Sequence, residues 1–185
     1  EEGMLGAQRK MEDLLKEIPD SIALRQFKNQ ANPQAHYEST APEIWRDLGG
    51  HIDYFVAGAG SGGTYTGVMR YLKEKNPGIK GILADPVGST MGGGEHAPYS
   101  IEGIGNDFVA DTMDMSLVDE VIKVNDEQAY DASRQLARKE GVFAGSSSGA
   151  ALYAALQIAG RIDHGSVVTI FPDRGDRYFS EHLYE

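Results

Sequence analysis

The ten residues GAGSGGTYTG at positions 58–67, set between an apolar run and an amphipathic one, constrain this chain more than any other stretch in it. Before them, IDYFVAG reads as a β-strand. After them Val68, Tyr71 and Leu72 recur at helical spacing, and NPG then turns the chain into a second apolar run, IKGILAD. A lone helix joining two strands sets them side by side in parallel. The alternation continues through EVIKV, a helix opened at Asn125 or Asp126 and closed by Gly141, the short run VFAG, a second loop-to-helix junction in GSSSGAALYAALQIAG, and a last apolar strand, SVVTIFP. This pattern predicts an α/β protein with an open, twisted, mostly parallel sheet and flanking helices.

The N-terminal part is less regular. Met4, Ala7, Met11, Leu14 and Ile18 predict an amphipathic helix, stopped by Pro19, with its apolar face on a core. SIALRQF has a strand-like run, whereas KNQANPQAHY is so rich in Asn, Gln and Pro that it reads as a loop or domain boundary near residue 34. Thr40 and Glu43 have capping-box spacing around Pro42, and Gly49 and Gly50 close the short helix they open. Residues 86–118, glycine-rich and irregular, suggest a long surface or active-site segment.

Composition excludes several function classes. A net charge of −11 without a basic cluster argues against nucleic acid and anionic lipid as partners, and no apolar run is long enough to cross a bilayer. The absence of cysteine removes disulfides, thiolate metal sites and a cysteine nucleophile, and a cytoplasmic location is the default. The opening EEGMLGA carries no charged-then-apolar leader and reads as the cut start of something longer.

In the glycine-rich loop, missing Cβ atoms let backbone N–H groups curl around an anion at the positive end of a helix. Gly58, Gly60 and Gly63 also match the dinucleotide spacing GxGxxG, and Asp85 stands 22 residues past Gly63 at the end of the next strand, where a ribose-binding acid would stand. Hydroxyls favour the other reading. Ser61, Thr64 and Thr66 alternate with the glycines and suit the greater charge of a terminal phosphate. The loop alone leaves a phosphate monoester, a dinucleotide and a purely structural turn open, in that order. At the second junction Ser146, Ser147 and Ser148 read either as helix caps or as ligand contacts. A serine nucleophile lacks support, because there is no GxSxG elbow and the five histidines stand in no motif.

Taken in order, QFKNQANPQAHYESTAPEIW, DYFVAGAGSGGTYTGVMRYLKEKNP, IEGIGNDF, EGVFAGSSSGAA and FPDRGDRY resemble the cysteine synthase and cystathionine β-synthase family, and the resemblance runs nearly end to end. It implies the tryptophan-synthase-β-like class of pyridoxal-phosphate enzymes (fold type II), built of a small and a large α/β domain. Residues 1–34 would finish the small domain, and residues 35–185 would make most of the large one. By the same resemblance, Gly60, Ser61, Gly62, Gly63 and Thr64 bind the phosphate of pyridoxal 5′-phosphate, with Ser61 where many members have Thr. Ser147 offers a neutral hydroxyl to the pyridine nitrogen, which leaves the ring a tempered electron sink suited to β-elimination. Gln26 lies near the substrate carboxylate, although Gln30 replaces a common Pro, and Gly103 with Gly105 lines the mouth of the site. Asp173 falls near the pyridine end, and no role is assigned to it.

Family members carry the cofactor on a lysine near the N-terminus, followed by a Ser/Thr-Gly-Asn loop. Neither is present in these residues. Lys10, Lys16, Lys28, Lys73, Lys75, Lys80, Lys123 and Lys139 read as solvated surface charge. The expectation is therefore that this segment holds no catalytic residue, is inactive alone and needs preceding sequence. The implied reaction of the complete enzyme is β-replacement on serine or O-acetylserine, with homocysteine as nucleophile and sulfide as the alternative. A homodimer acting on a small amino acid is implied as well. A non-catalytic phosphate-binding module and a nicotinamide enzyme are the readings from other classes.

Overall fold

The apolar runs pair as parallel strands in the computed structural model, which describes residues 3–185. β1 (Tyr54–Gly58) lies between β2 (Lys80–Pro86) and β4 (Val167–Thr169), and β3 (Glu120–Val124) pairs with the far side of β2. Around the sheet are α1 (Gly3–Glu17), α2 (Ala31–Ala35), α3 (Ala41–Asp47), α4 (Gly63–Lys75), α5 (Asp126–Glu140) and α6 (Ser146–Ala159). Alternate strand residues feed opposite faces. Phe55, Ala57 and Leu83 pack with Tyr65, Val68, Met69 and Leu72 of α4, while Val56, Ile82 and Ala84 pack with Ala150, Ala154 and Ile158 of α6 and Ala129 of α5. A parallel sheet covered on both faces explains why β1 and β2 read as continuous apolar runs. From β1 the chain runs outward to β2 and β3, then returns to lay β4 on the other side of β1. In such a sheet the carboxyl end of the strand at the reversal opens onto a crevice.

Several helix ends follow the sequence. Asn125 and Gln128 form a reciprocal capping box at α5, and Gly141 closes that helix at φ 70°. The segment expected to be irregular is helical instead. Asn29 Oδ1 accepts the Ala31 N–H at 3.0 Å, and Pro33 sits in the first turn of α2, where its missing N–H has no intrahelical role. A π-helical turn, His36–Thr40, then joins α2 to α3, so that Thr40 lies inside helical backbone and caps nothing. Pro42 gives the reason. It cannot bond the carbonyl four residues back and crowds it, and the turn widens until Ala41 N–H reaches His36 O.

Other expectations shrink. SIALRQF forms no strand, since Arg25 takes φ 51° and breaks the extended run. VFAG makes only a bridge between Ala144 and Arg174, and SVVTIFP contributes three strand residues at the sheet edge. The apolar face of α1 does not rest on a core: Met4, Leu14 and Ile18 are all exposed.

Asp119 ties the sheet to α4. Its carboxylate accepts from Lys73 Nζ at 2.9 Å, Lys80 Nζ at 3.0 Å and Gly81 N–H at 2.9 Å. Partial burial opposes ionisation, but the two ammonium groups and the amide outweigh it and hold the pKa at about 2, below the usual 3.8. A lowered folded-state pKa gives stability that is complete above the unfolded value and is lost as pH falls through 2. Asp119→Asn is expected to lower the free energy of unfolding by about 1 kcal/mol at neutral pH, solvent screening having reduced the electrostatic gain. The difference from the unmodified protein should vanish in strong acid, and equal urea midpoints at pH 7 would contradict the clamp.

Candidate cofactor site

The loop after β1 delivers backbone amides to the start of α4. Gly62, the N-cap residue, takes φ 79°, a left-handed conformation that glycine adopts without strain, and a Cβ there would overlap the Met113 side chain. Gly63 is equally crowded, because its Cβ would run into the Asn32 amide. Two side chains hold the loop's carbonyls: Asn106 Nδ2 donates to Gly60 O at 2.6 Å, and Thr112 Oγ1 donates to Ser61 O at 2.6 Å. Among the described residues, the N–H groups of Gly62, Thr64 and Tyr65 meet no protein acceptor. The unpaired donors therefore collect at a helix N-terminus beside a cleft of about 530 Å³. That is the arrangement an anion requires.

All eight residues singled out from the sequence line this one cleft: Gln26, Gly60, Ser61, Gly62, Gly63, Thr64, Gly103 and Ser147. Ser61 Oγ accepts from Asn32 Nδ2 at 2.9 Å and from Gly63 N–H at 3.4 Å, which leaves its own proton for a ligand. Thr64 Oγ1 lies 3.0 Å from His36 Nε2. Gln26 is fixed through its carbonyl, which accepts from Asn32 Nδ2 at 2.9 Å. Gly103 takes φ 81° opposite Ser147, where an added Cβ would stand 4.0 Å from the Ser147 hydroxyl.

Not every hydroxyl behaves as expected. Thr66 faces away from the cleft, fully buried, and accepts the Asp114 N–H at 2.9 Å. At the second junction none of the three serines caps α6, whose N-cap is Gly145. Ser146 Oγ accepts the Glu102 N–H at 3.1 Å and pins the mouth segment, Ser148 Oγ is buried without a partner, and Ser147 opens on the cleft. Asn32, His36, Asn106 and Thr112 were missed as site residues. His36 stood in no motif, and only a helical reading of residues 31–40 would have aligned it with Asn32.

Residues 1–173 match the family described as pyridoxal-phosphate dependent enzyme. The chain belongs to that family. An O-acetylserine dependent cystathionine β-synthase of Bacillus subtilis (strain 168) is 49% identical, covering 100% of this chain and 61% of the relative. A cysteine synthase of Helicobacter pylori (strain ATCC 700392 / 26695) is 47% identical, covering 99% of this chain and 60% of the relative. In structure, the chain superimposes on an O-acetylserine dependent cystathionine β-synthase from Helicobacter pylori with a TM-score of 0.95 at 47% identity, over 100% of this chain and 60% of that one. An O-ureido-L-serine synthase gives 0.93 at 37%, over 99% and 58%. The chain thus spans about three fifths of the length of the relatives it matches.

Membership in the pyridoxal-phosphate family accords with what the polar groups do. The cleft presents free amides and the Ser61 hydroxyl at its helix end, and Ser147 adds a buried neutral hydroxyl. Asp85 is unavailable to ribose: it is 1% exposed, and its Oδ2 accepts from Lys123 Nζ at 2.6 Å and Gly92 N–H at 3.0 Å. The same pair corrects the reading of Lys123 as a solvated charge. No lysine lines the cleft among the described residues.

Proposed function

We propose that this cleft holds pyridoxal 5′-phosphate, and that the protein carrying it catalyses β-replacement on O-acetylserine or serine with homocysteine as nucleophile. The observation that carries the reading is the set of unpaired amides after Gly60, their carbonyls anchored by Asn106 and Thr112, on the same cleft as the Ser147 hydroxyl. When bound, the cofactor withdraws electrons from the substrate α-carbon so that the β-substituent can leave. The chain supplies the rest. Gly60 to Thr64 grip the phosphate, Ser147 donates to the ring nitrogen without favouring its protonation, and Gln26 meets the substrate carboxylate. Ile101 and Ile104 help exclude water, and the backbone at Gly103 and Gly105, both at positive φ, permits close approach at the mouth.

The name of the Bacillus subtilis relative supports homocysteine, and that of the Helicobacter pylori cysteine synthase supports sulfide as a second reading. Assays of the full-length protein with either nucleophile, each against serine and O-acetylserine, separate them. Cystathionine from O-acetylserine and homocysteine should form fastest. Faster cysteine formation from sulfide would transfer the assignment to the second reading, and cofactor binding with neither product would leave a non-catalytic module. Because none of the described lysines reaches the cleft, the 185 residues alone should give no β-replacement, and a measurable rate from them would refute this part.

A further inference from the structure

Ile101 and the residues from Gly103 to Asn106 line the cleft, yet residues 99–106 belong to no helix or strand whose ladder could hold them. Their backbone is held from outside instead. At one end Gly105 N–H donates to Ala59 O at 2.8 Å and Asn106 N–H to Ser89 Oγ at 3.1 Å. At the other, the Asp126 carboxylate accepts Ser100 N–H at 2.9 Å, shared between its two oxygens, and Ile101 N–H at 3.2 Å. Ser146 Oγ takes the next amide, that of Glu102. Between the two anchorages, the N–H groups of Gly103 and Ile104 meet no protein acceptor among the described residues.

Asp126 and Ser146 open two helices that are locked together. A Cβ on Gly149 would overlap Ala129 O, so its absence lets α6 press on α5, and Ser133 Oγ of α5 donates to Gly145 O at 3.0 Å just before α6 begins. Their N-terminal ends thus stand side by side against residues 100–102. An acid in the first turn of α5 has a plainer use, since it stabilises the positive helix end whatever it touches. Asp126 exceeds that use. The reciprocal Asn125 and Gln128 box already closes this helix end, and Glu127, which is exposed, supplies a second acid in the same turn. The Asp126 carboxylate turns instead to amides 25 and 26 residues upstream. What it holds lies on the glycine-rich loop: a Cβ on Gly60 would stand 2.5 Å from Gly103 O, and one on Gly58 would stand 2.6 Å from Ile104 Cγ2.

We propose that Asp126 is a positioning residue for the cleft: together with Ser146 it braces residues 100–102, and the brace keeps residues 103–106 closed over the cofactor. This rests on the cofactor reading above, and the test separates the two. In the full-length protein, Asp126→Ala should release pyridoxal 5′-phosphate about tenfold faster, the effect expected of one hydrogen bond to a charged acceptor. Asp126→Asn, which keeps an acceptor oxygen, should recover part of the loss. Glu127→Gln removes a charge from the same helix end and should leave the release rate unchanged. With both anchors gone, Asp126→Ala combined with Ser146→Ala should speed release by more than the two single factors multiplied. Amide hydrogen exchange without the cofactor gives an independent readout. Asp126→Ala should speed exchange at Gly105 and Asn106, whose own acceptors are untouched, as well as at Ser100 and Ile101. Faster exchange at Ser100 and Ile101 alone, or equal release from Asp126→Ala and Glu127→Gln, would reduce Asp126 to a helix-end charge and overturn the proposal while the cofactor reading survives. Failure of the unmodified full-length protein to bind pyridoxal 5′-phosphate would overturn both.

Discussion

Alanine at position 62 should weaken binding of pyridoxal 5′-phosphate by at least about a hundredfold, close to 3 kcal/mol of binding free energy. The added methyl group meets two obstacles. At φ 79° an L-residue carries a steric penalty of about 1 kcal/mol. The larger obstacle is Met113, whose Cα would lie 2.8 Å from the new Cβ. Met113 has little room to retreat: its N–H bonds Ala110 O at 2.9 Å, Thr112 before it holds Ser61 O, and Asp114 after it donates to Thr66. The loop is therefore the part that moves, and it takes the amides of Gly62 and Thr64 out of line with the cleft. Gly141→Ala supplies the control. Gly141 has φ 70° and nothing within 4 Å of its would-be Cβ, so the change should lower stability by about 1 kcal/mol and leave cofactor affinity alone. Fluorescence titration with the cofactor, with circular dichroism to verify folding, checks both. An affinity of Gly62→Ala equal to that of the unmodified protein would mean that the amide cup is not the phosphate site.

What the sequence disclosed and what it concealed divide along the range of the interactions. The strands and α4, α5 and α6 were legible because apolar runs, the Asn125 cap and Gly141 act over a few residues. The loop at Gly60 to Thr64 and the Ser147 junction were legible because glycine and hydroxyl residues cluster there. Residues 31–40 were not. Their Asn, Gln and Pro content disfavours a helix locally, and the helix holds because Asn32 and His36 pack on α4. Thr66 was misassigned because alternation along the sequence is not alternation in space once a helix has begun: it points into the core, bonded by Asp114 N–H. Asp85 at the end of β2 has the position of a ribose ligand, and only Lys123, 38 residues on, turns it into half of an ion pair. Asn106 and Thr112 carry no local sign that they hold carbonyls of residues 60 and 61.

That ion pair leads to the second large effect: Lys123→Met should destabilise the fold by about 3 kcal/mol, the low end for stripping a buried charge of its partner. Asp85 is 1% exposed and its Oδ1 has no partner, whereas the Lys123 side chain keeps 31% of its exposure, which places the effect at that end of the range. Part of the loss should reach the cleft. Lys123 Nζ also donates to Ser89 O at 2.7 Å, and Ser89 Oγ donates to Asn106 O at 3.0 Å and accepts Asn106 N–H at 3.1 Å. Asn106 in turn holds Gly60 O, so one lysine on β3 steadies a carbonyl of the glycine-rich loop through two intermediates. A double-mutant cycle tests whether the charge or the packing matters. Adding Asp85→Asn to Lys123→Met removes the stranded carboxylate, and the double variant should regain most of the lost stability in urea unfolding while still binding the cofactor more weakly than the unmodified protein, because the bond to Ser89 O is gone. Strictly additive losses would assign the lysine to packing alone, and unchanged cofactor affinity in both variants would break the proposed link from Lys123 to Gly60.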